Sequence, residues 1–167
     1  MNSIIEIIYT NKNYVESYNK AIDCVARERK YLATVNGFPM EGSEWFITHM
    51  IKNKFPQYFL LSNQEVIGWC DITPKDIPEF SHVGTLGMGI IKNYRGKGYG
   101  KKLLLKTIEH AKNINHLEKI ELTVFESNEI AIRLYQSLGF EIEGKRIKSR
   151  KIDNEYDNEI EMGIFLV

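Results

Sequence analysis

Cysteine and proline are scarce in this sequence, and neither sign of charge prevails. The two cysteines, Cys24 and Cys70, are too few and too far apart for a disulfide framework or a cysteine-bound metal, which points to a reducing compartment. Lys plus Arg and Asp plus Glu both number 22, so net charge argues for neither a nucleic-acid nor a membrane partner. No apolar run approaches the ~20 residues needed to cross a bilayer. The start, MNSIIEIIYTNKN, has no basic segment followed by a long apolar one, so no signal peptide is expected. These absences describe a cytoplasmic chain without a metal site. Repeats, low-complexity tracts and linkers are also missing. The 167 residues, 43% apolar and 26% charged, suit a single globular domain over 1–167.

What is present centres on one stretch, GIIKNYRGKGYGKKLLLKTIEHAK. An apolar strand runs into Gly96, Gly98 and Gly100, and an amphipathic helix follows. Glycines at this spacing let successive backbone N–H groups turn toward one point, because no Cβ blocks approach or forbids positive φ. The helix N-terminus adds unpaired N–H groups and the positive end of its dipole. Arg95, Lys97, Lys101 and Lys102 add charge, and together they describe a cradle for a phosphate or pyrophosphate.

Periodicity places this cradle within an α/β chain. Strands are predicted at Ile4 to Tyr9, Gln57 to Leu61, Val66 to Ile72, His82 to Ile91, Lys119 to Phe125, Phe140 to Arg146 and Tyr156 to Leu166. Helices are predicted from about Asn13 to Tyr31, from near Ser43 with Trp45, Phe46, His49 and Met50 on one face, after the glycines, and from Ser127 or Asn128 to Leu138. Gly139 should close the last helix as its C′ residue. The order β-α-α-β-β-β-α-β-α-β-β has a crossover helix between the fourth and fifth strands and hairpins elsewhere. That implies a mixed, mostly antiparallel sheet flanked by helices. Gly84, Gly87 and Gly89 in the fourth strand suggest a bulge or a close approach to the backbone.

Three readings of the glycine stretch compete. A Walker-type loop fails, because Gly96-Lys97 has no glycine four residues before and no hydroxyl after. A dinucleotide fingerprint is poor, because Lys92 to Arg95 intervene after the strand and position 101 is lysine. The third, a plain turn joining strand to helix, needs one glycine and not three with flanking cations. The surviving reading comes from a resemblance. IIKNYRGKGYGKKLL resembles the acetyl-CoA motif of the GNAT family of N-acetyltransferases, with Arg95-x-x-Gly98-x-Gly100 in place, and VFESNEIAIRLYQSLGF resembles the family's second block. The resemblance is strongest from His82 to Phe140.

That resemblance implies an acetyl-CoA N-acyltransferase fold and direct transfer of acetyl from acetyl-CoA to a primary amine, either a small molecule or a peptide N-terminus. It puts the pyrophosphate on the N–H groups of Gly96, Lys97, Gly98, Tyr99, Gly100 and Lys101, with Arg95 beside them. The pantetheine arm would pair with backbone at Ile90 and Ile91 and meet the Asn128 amide, and Tyr135 would protonate the departing thiolate. Where many relatives carry Glu, this chain has Thr85 and Thr123. Glu79, His82, Glu121 and Glu126 are the other candidates, and the general base is unassigned. Tyr31, Phe38, Trp45 and Phe46, with Glu28, Glu41 and Glu44, are candidates to line the acceptor site. A non-catalytic acetyl-CoA sensor is the alternative, a nucleotide-binding oxidoreductase a distant third, and a homodimer is left open.

Overall fold

The computed structural model describes residues 4–166. In chain order the elements are β1 (Ile5–Tyr9), α1 (Val15–Ala26), α2 (Met40–Lys52), β2 (Gln57–Ser62), β3 (Glu65–Pro74), β4 (Val83–Ile90), α3 (Tyr99–Asn113), β5 (Lys119–Phe125), α4 (Glu129–Ser137), β6 (Glu141–Ile152) and β7 (Glu155–Phe165). This is the expected order. One seven-stranded sheet runs β1-β2-β3-β4-β5-β7-β6, and only the β4–β5 pair is parallel. Two tight turns follow from residues that tolerate positive φ: Asn63 and Gln64 at 49° and 68°, and Asp153 and Asn154 at 51° and 64°.

Period-2 alternation feeds two cores. On one sheet face α1 and α2 bury Tyr18, Ile22 and Ile47 against Phe59, Leu61 and Trp69. On the other, Leu103 and Leu104 of α3 and Tyr135 of α4 pack with Leu60, Cys70 and Ile120. The α4 terminus is a Schellman motif: Phe140 N–H donates to Tyr135 O at 3.1 Å and Gly139 N–H to Gln136 O at 3.0 Å, with Gly139 at φ 95°.

Two helix expectations need correction. The first helix stops at Ala26 rather than Tyr31. Arg29 turns at φ 59° and its guanidinium grips Asp153 of the β6–β7 turn at 2.9 Å, so residues 27–36 form turns and bends instead of prolonging the helix. The second begins at Met40, behind an extended Pro39, and buries Ser43, Ile47 and Met50. Trp45 is therefore 64% exposed, stacked on His49 at 5.0 Å, and does not share the buried stripe. The sixth strand also runs beyond the expected Arg146 to Ile152.

The feature that builds the site is a split in the sheet. β4 pairs with β5 only where Val83, Gly84 and Thr85 meet Lys119, Ile120 and Glu121. Beyond that β4 stays on β3 as far as Ile90, and β5 stays on β7 as far as Phe125. The two inner edges diverge. Ile91 N–H donates to Ile67 O at 2.9 Å, so antiparallel alternation sends the Gly87 and Gly89 backbone groups to β3. The same alternation turns those of Leu86, Met88 and Ile90 toward the split.

Candidate active site

At the mouth of the split lies the glycine loop. Gly96 and Gly98 hold φ of 74° and 79°, and Gly98 is the N-terminal cap of α3. Among the described residues, the N–H groups from Gly96 to Lys101 have no backbone acceptor. Two left-handed glycines ahead of three unpaired first-turn donors make a row of free N–H dipoles of the kind that suits an anion. Only two of the three glycines owe their place to the backbone. Gly100 sits in the helix, and a Cβ there would make ordinary 3.5 Å contacts with Ile90 and Leu134.

Arg95 faces the other way. Its Nε donates to Ile90 O at 2.7 Å, Nη1 and Nη2 donate to the Glu28 carboxylate at 2.8 and 2.5 Å, and Tyr31 lies against the guanidinium at 4.6 Å. Its charge is spent inside the protein, tying the end of β4 to the segment after α1. Glu28 and Tyr31, candidates for the acceptor site, belong to this brace. Lys97 Nζ lies 5.3 Å from the Tyr94 ring. Of the two strand-end residues, Ile90 turns its backbone to the split, whereas the Ile91 N–H is already bonded within the sheet.

α4 flanks the opposite edge. Asn128 Oδ1 accepts from Ala131 N–H at 3.3 Å, a helix cap that leaves the amide NH2 to point elsewhere. Tyr135 is 7% exposed, its ring 5.7 Å from Phe140. Burial, with Cys70 beside it, pushes the hydroxyl pKa well up, so it remains a proton donor at neutral pH.

The glycines of β4 bear out the close approach to the backbone rather than the bulge. The β3–β4 register is regular, without a bulge. A Cβ at Gly89 would meet the Trp69 ring at 2.4 Å, and one at Gly87 would lie 3.4 Å from Asp71 Oδ1. On the α1–α2 face the Trp69 ring thus covers Gly89, and the Asp71 carboxylate lies against Gly87.

The carboxylates considered as bases are tied elsewhere. Glu121 is held by Lys75 at 2.5 Å and Lys119 at 3.3 Å, and Glu126 by Lys145 at 2.5 Å and Asn158 at 2.6 Å. Those hydrogen bonds hold both below the usual carboxylate range, which makes them weak bases. Glu79 and His82 are exposed, before β4 begins. Asp71 escaped the sequence reading, although a charge inside the apolar run VIGWCDI was a signal. Burial lifts its pKa to about 7. On the acceptor side Phe38 is 52% exposed, Phe46 packs into the α1–α2 core, and Glu41 and Glu44 lie exposed on α2.

A profile of the acetyltransferase (GNAT) family matches residues 25–140, more than half the chain and all of the loop, split and α4. The chain belongs to the GNAT acetyltransferase family. Among curated relatives, an L-amino acid N-acetyltransferase of Escherichia coli strain K12 is 35% identical over 92 residues, which cover 55% of this chain and 57% of that protein. A spermine/spermidine N(1)-acetyltransferase of Bacillus subtilis strain 168 is 45% identical over 56 residues, 34% of this chain and 37% of its own length. Both matches span less than two thirds of the relative. The fold is that of a GNAT phosphinothricin acetyltransferase from Sinorhizobium meliloti solved with acetyl-CoA, at a TM-score of 0.88 and 15% identity over 99% of this chain and 89% of that one.

Proposed function

We propose that this GNAT chain, taken as one acetyltransferase domain over 1–167, transfers acetyl from acetyl-CoA to a primary amine. One observation carries the reading: a row of acceptor-free N–H groups, Gly96 to Lys101, opens onto a strand edge that has lost its neighbour. The pyrophosphate takes the N–H row, and Arg95 acts by fixing the end of β4 rather than by touching phosphate. The peptide-like pantetheine arm adds to β4 as a short extra strand, using the split-facing groups of Met88 and Ile90, and Asn128 offers its amide from α4. A split-facing N–H there meets the oxyanion as the amine nitrogen attacks the thioester carbonyl. The C–N bond forms, the C–S bond breaks, and Tyr135 hands its proton to the departing thiolate. The relatives named for L-amino acids and for spermine or spermidine support an amine acceptor.

Thiol release from acetyl-CoA, measured over a panel of amino acids, polyamines and peptide N-termini, tests this. Saturable release with one class is expected. At a hundred times its dissociation constant acetyl-CoA should also stabilise the fold by about 2.7 kcal/mol. Stabilisation by NAD but not by CoA compounds would overturn the reading. Thr85 and Thr123, where many relatives place Glu, favour the second reading, a non-catalytic acetyl-CoA sensor. Stabilisation without thiol release over the whole panel would establish it.

A further inference from the structure

The acetyltransferase reading leaves one step without a residue: an amine is protonated near neutral pH and must lose a proton before it attacks. Among the described residues Asp71 is the one charged side chain in the buried set, at 9% exposure. It stands in the middle of β3, opposite Gln57 on β2 and Gly87 on β4. Asp71 Oδ1 lies 3.4 Å from where a Gly87 Cβ would stand, an ordinary contact that sets the carboxylate over β4, one strand from the open edge, on the α1–α2 face. Trp69 does the same over Gly89 and forms an apolar wall beside it. Among the described residues no cation neutralises Asp71, and burial accounts for its raised pKa. The titratable group facing it from α1 is Tyr18, whose hydroxyl burial and the Asp71 charge keep protonated, and Cys70, next to it in β3, is a buried thiol kept neutral by burial.

A second observation is independent of charge. Thr10 N–H donates to Gln57 O at 2.9 Å, so Thr10, Gln57 and Asp71 form one cross-strand row. In that row, among the described residues, Thr10 Oγ1 is buried without a protein partner, and the buried Gln57 amide lies beside the Tyr18 hydroxyl. The row is a buried polar strip that runs from Asp71 under β2.

We propose that Asp71 is the proton acceptor for the incoming ammonium, taking its proton directly or through one water. This rests on the acetyltransferase reading. The ammonium gives up two protons in all. One goes to the Asp71 carboxylate, which returns it to solvent on re-ionising. The other balances the proton that Tyr135 gives to the CoA thiolate, so the amide and free thiol leave with both side chains restored. A base with a pKa near the working pH is suited to the task, unlike the lysine-held Glu121.

The test is the pH dependence of kcat/KM for wild type and Asp71→Asn, with acetyl-CoA and a panel acceptor that wild type turns over. Wild type should show an acid limb near pH 7 that stays in place when the acceptor's own amine pKa is changed. Asp71→Asn should lose this limb and fall about 10²–10⁴-fold at pH 7, while acetyl-CoA still raises its melting temperature as in wild type. An acceptor already neutral at pH 7 should recover most of the loss. A variant with the wild-type limb, or one equally slow with charged and neutral amines, overturns the proposal. So does a wild-type limb that follows the acceptor pKa, a result that needs no folded variant. Wild type silent with every amine overturns the acetyltransferase reading itself, and this proposal with it.

Discussion

Arg95 and Glu28, 67 positions apart in sequence, meet in a two-pronged ion pair with N···O distances of 2.8 and 2.5 Å. The same guanidinium caps the Ile90 carbonyl at 2.7 Å. A planar fork is needed to serve both partners, and an ammonium cannot reproduce it. Arg95→Lys keeps the charge but should cost about 1–3 kcal/mol, the value of charged hydrogen bonds in a half-buried setting. Thermal melting would record this, together with a raised KM for acetyl-CoA as the end of β4 loosens. An Arg95→Lys protein that melts and binds as wild type would contradict the brace.

Gly98 and Gly89 are glycines for different reasons, and their alanine variants should separate. Gly98 sits at φ 79° with nothing within 4 Å of a Cβ, so alanine there costs about 1–2 kcal/mol through the backbone and places a methyl at the cradle. Acetyl-CoA affinity should fall. Gly89→Ala drives a Cβ to 2.4 Å from the Trp69 ring, so it should destabilise by overpacking, about 1–3 kcal/mol. Calorimetric titration with CoA on both variants, beside melting curves, checks the contrast.

Tyr135→Phe keeps the ring that packs on Phe140 and removes the proton. The expected outcome is a loss of about 10²–10⁴-fold in kcat with acetyl-CoA affinity and melting temperature near wild type. Unchanged turnover would remove Tyr135 from the reaction.

Glu121 predicts a pH effect on stability. Hydrogen bonds from Lys75 and Lys119 lower its folded pKa, so the stabilisation is present above the unfolded carboxylate range and vanishes as pH falls through the lowered value. Glu121→Gln should therefore melt below wild type at pH 7 and draw level with it as the pH falls through that lowered value. The pair is about a third exposed, so the difference should stay under about 1 kcal/mol. An equal deficit at pH 7 and below that value would show that packing, not charge, is at stake.

Local pattern alone determined much of this protein. Alternation in Lys119 to Phe125, the Gly139 stop and the paired positive-φ residues Asp153 and Asn154 are short-range signals, and each element they imply is present. The left-handed Gly96 and Gly98 before a helix likewise announce an anion cradle, because φ freedom and unpaired first-turn N–H groups are local properties. Direction and partnership are not local. No spacing rule shows that Arg95 turns inward to Glu28, that Trp45 leaves the buried face of α2, or that Gly89 makes room for Trp69. These depend on which strand lies beside which and on where β4 and β5 part. That is why the anion cradle was visible in sequence, while the carboxylate beside the split emerged only once β3 was laid against Gly87.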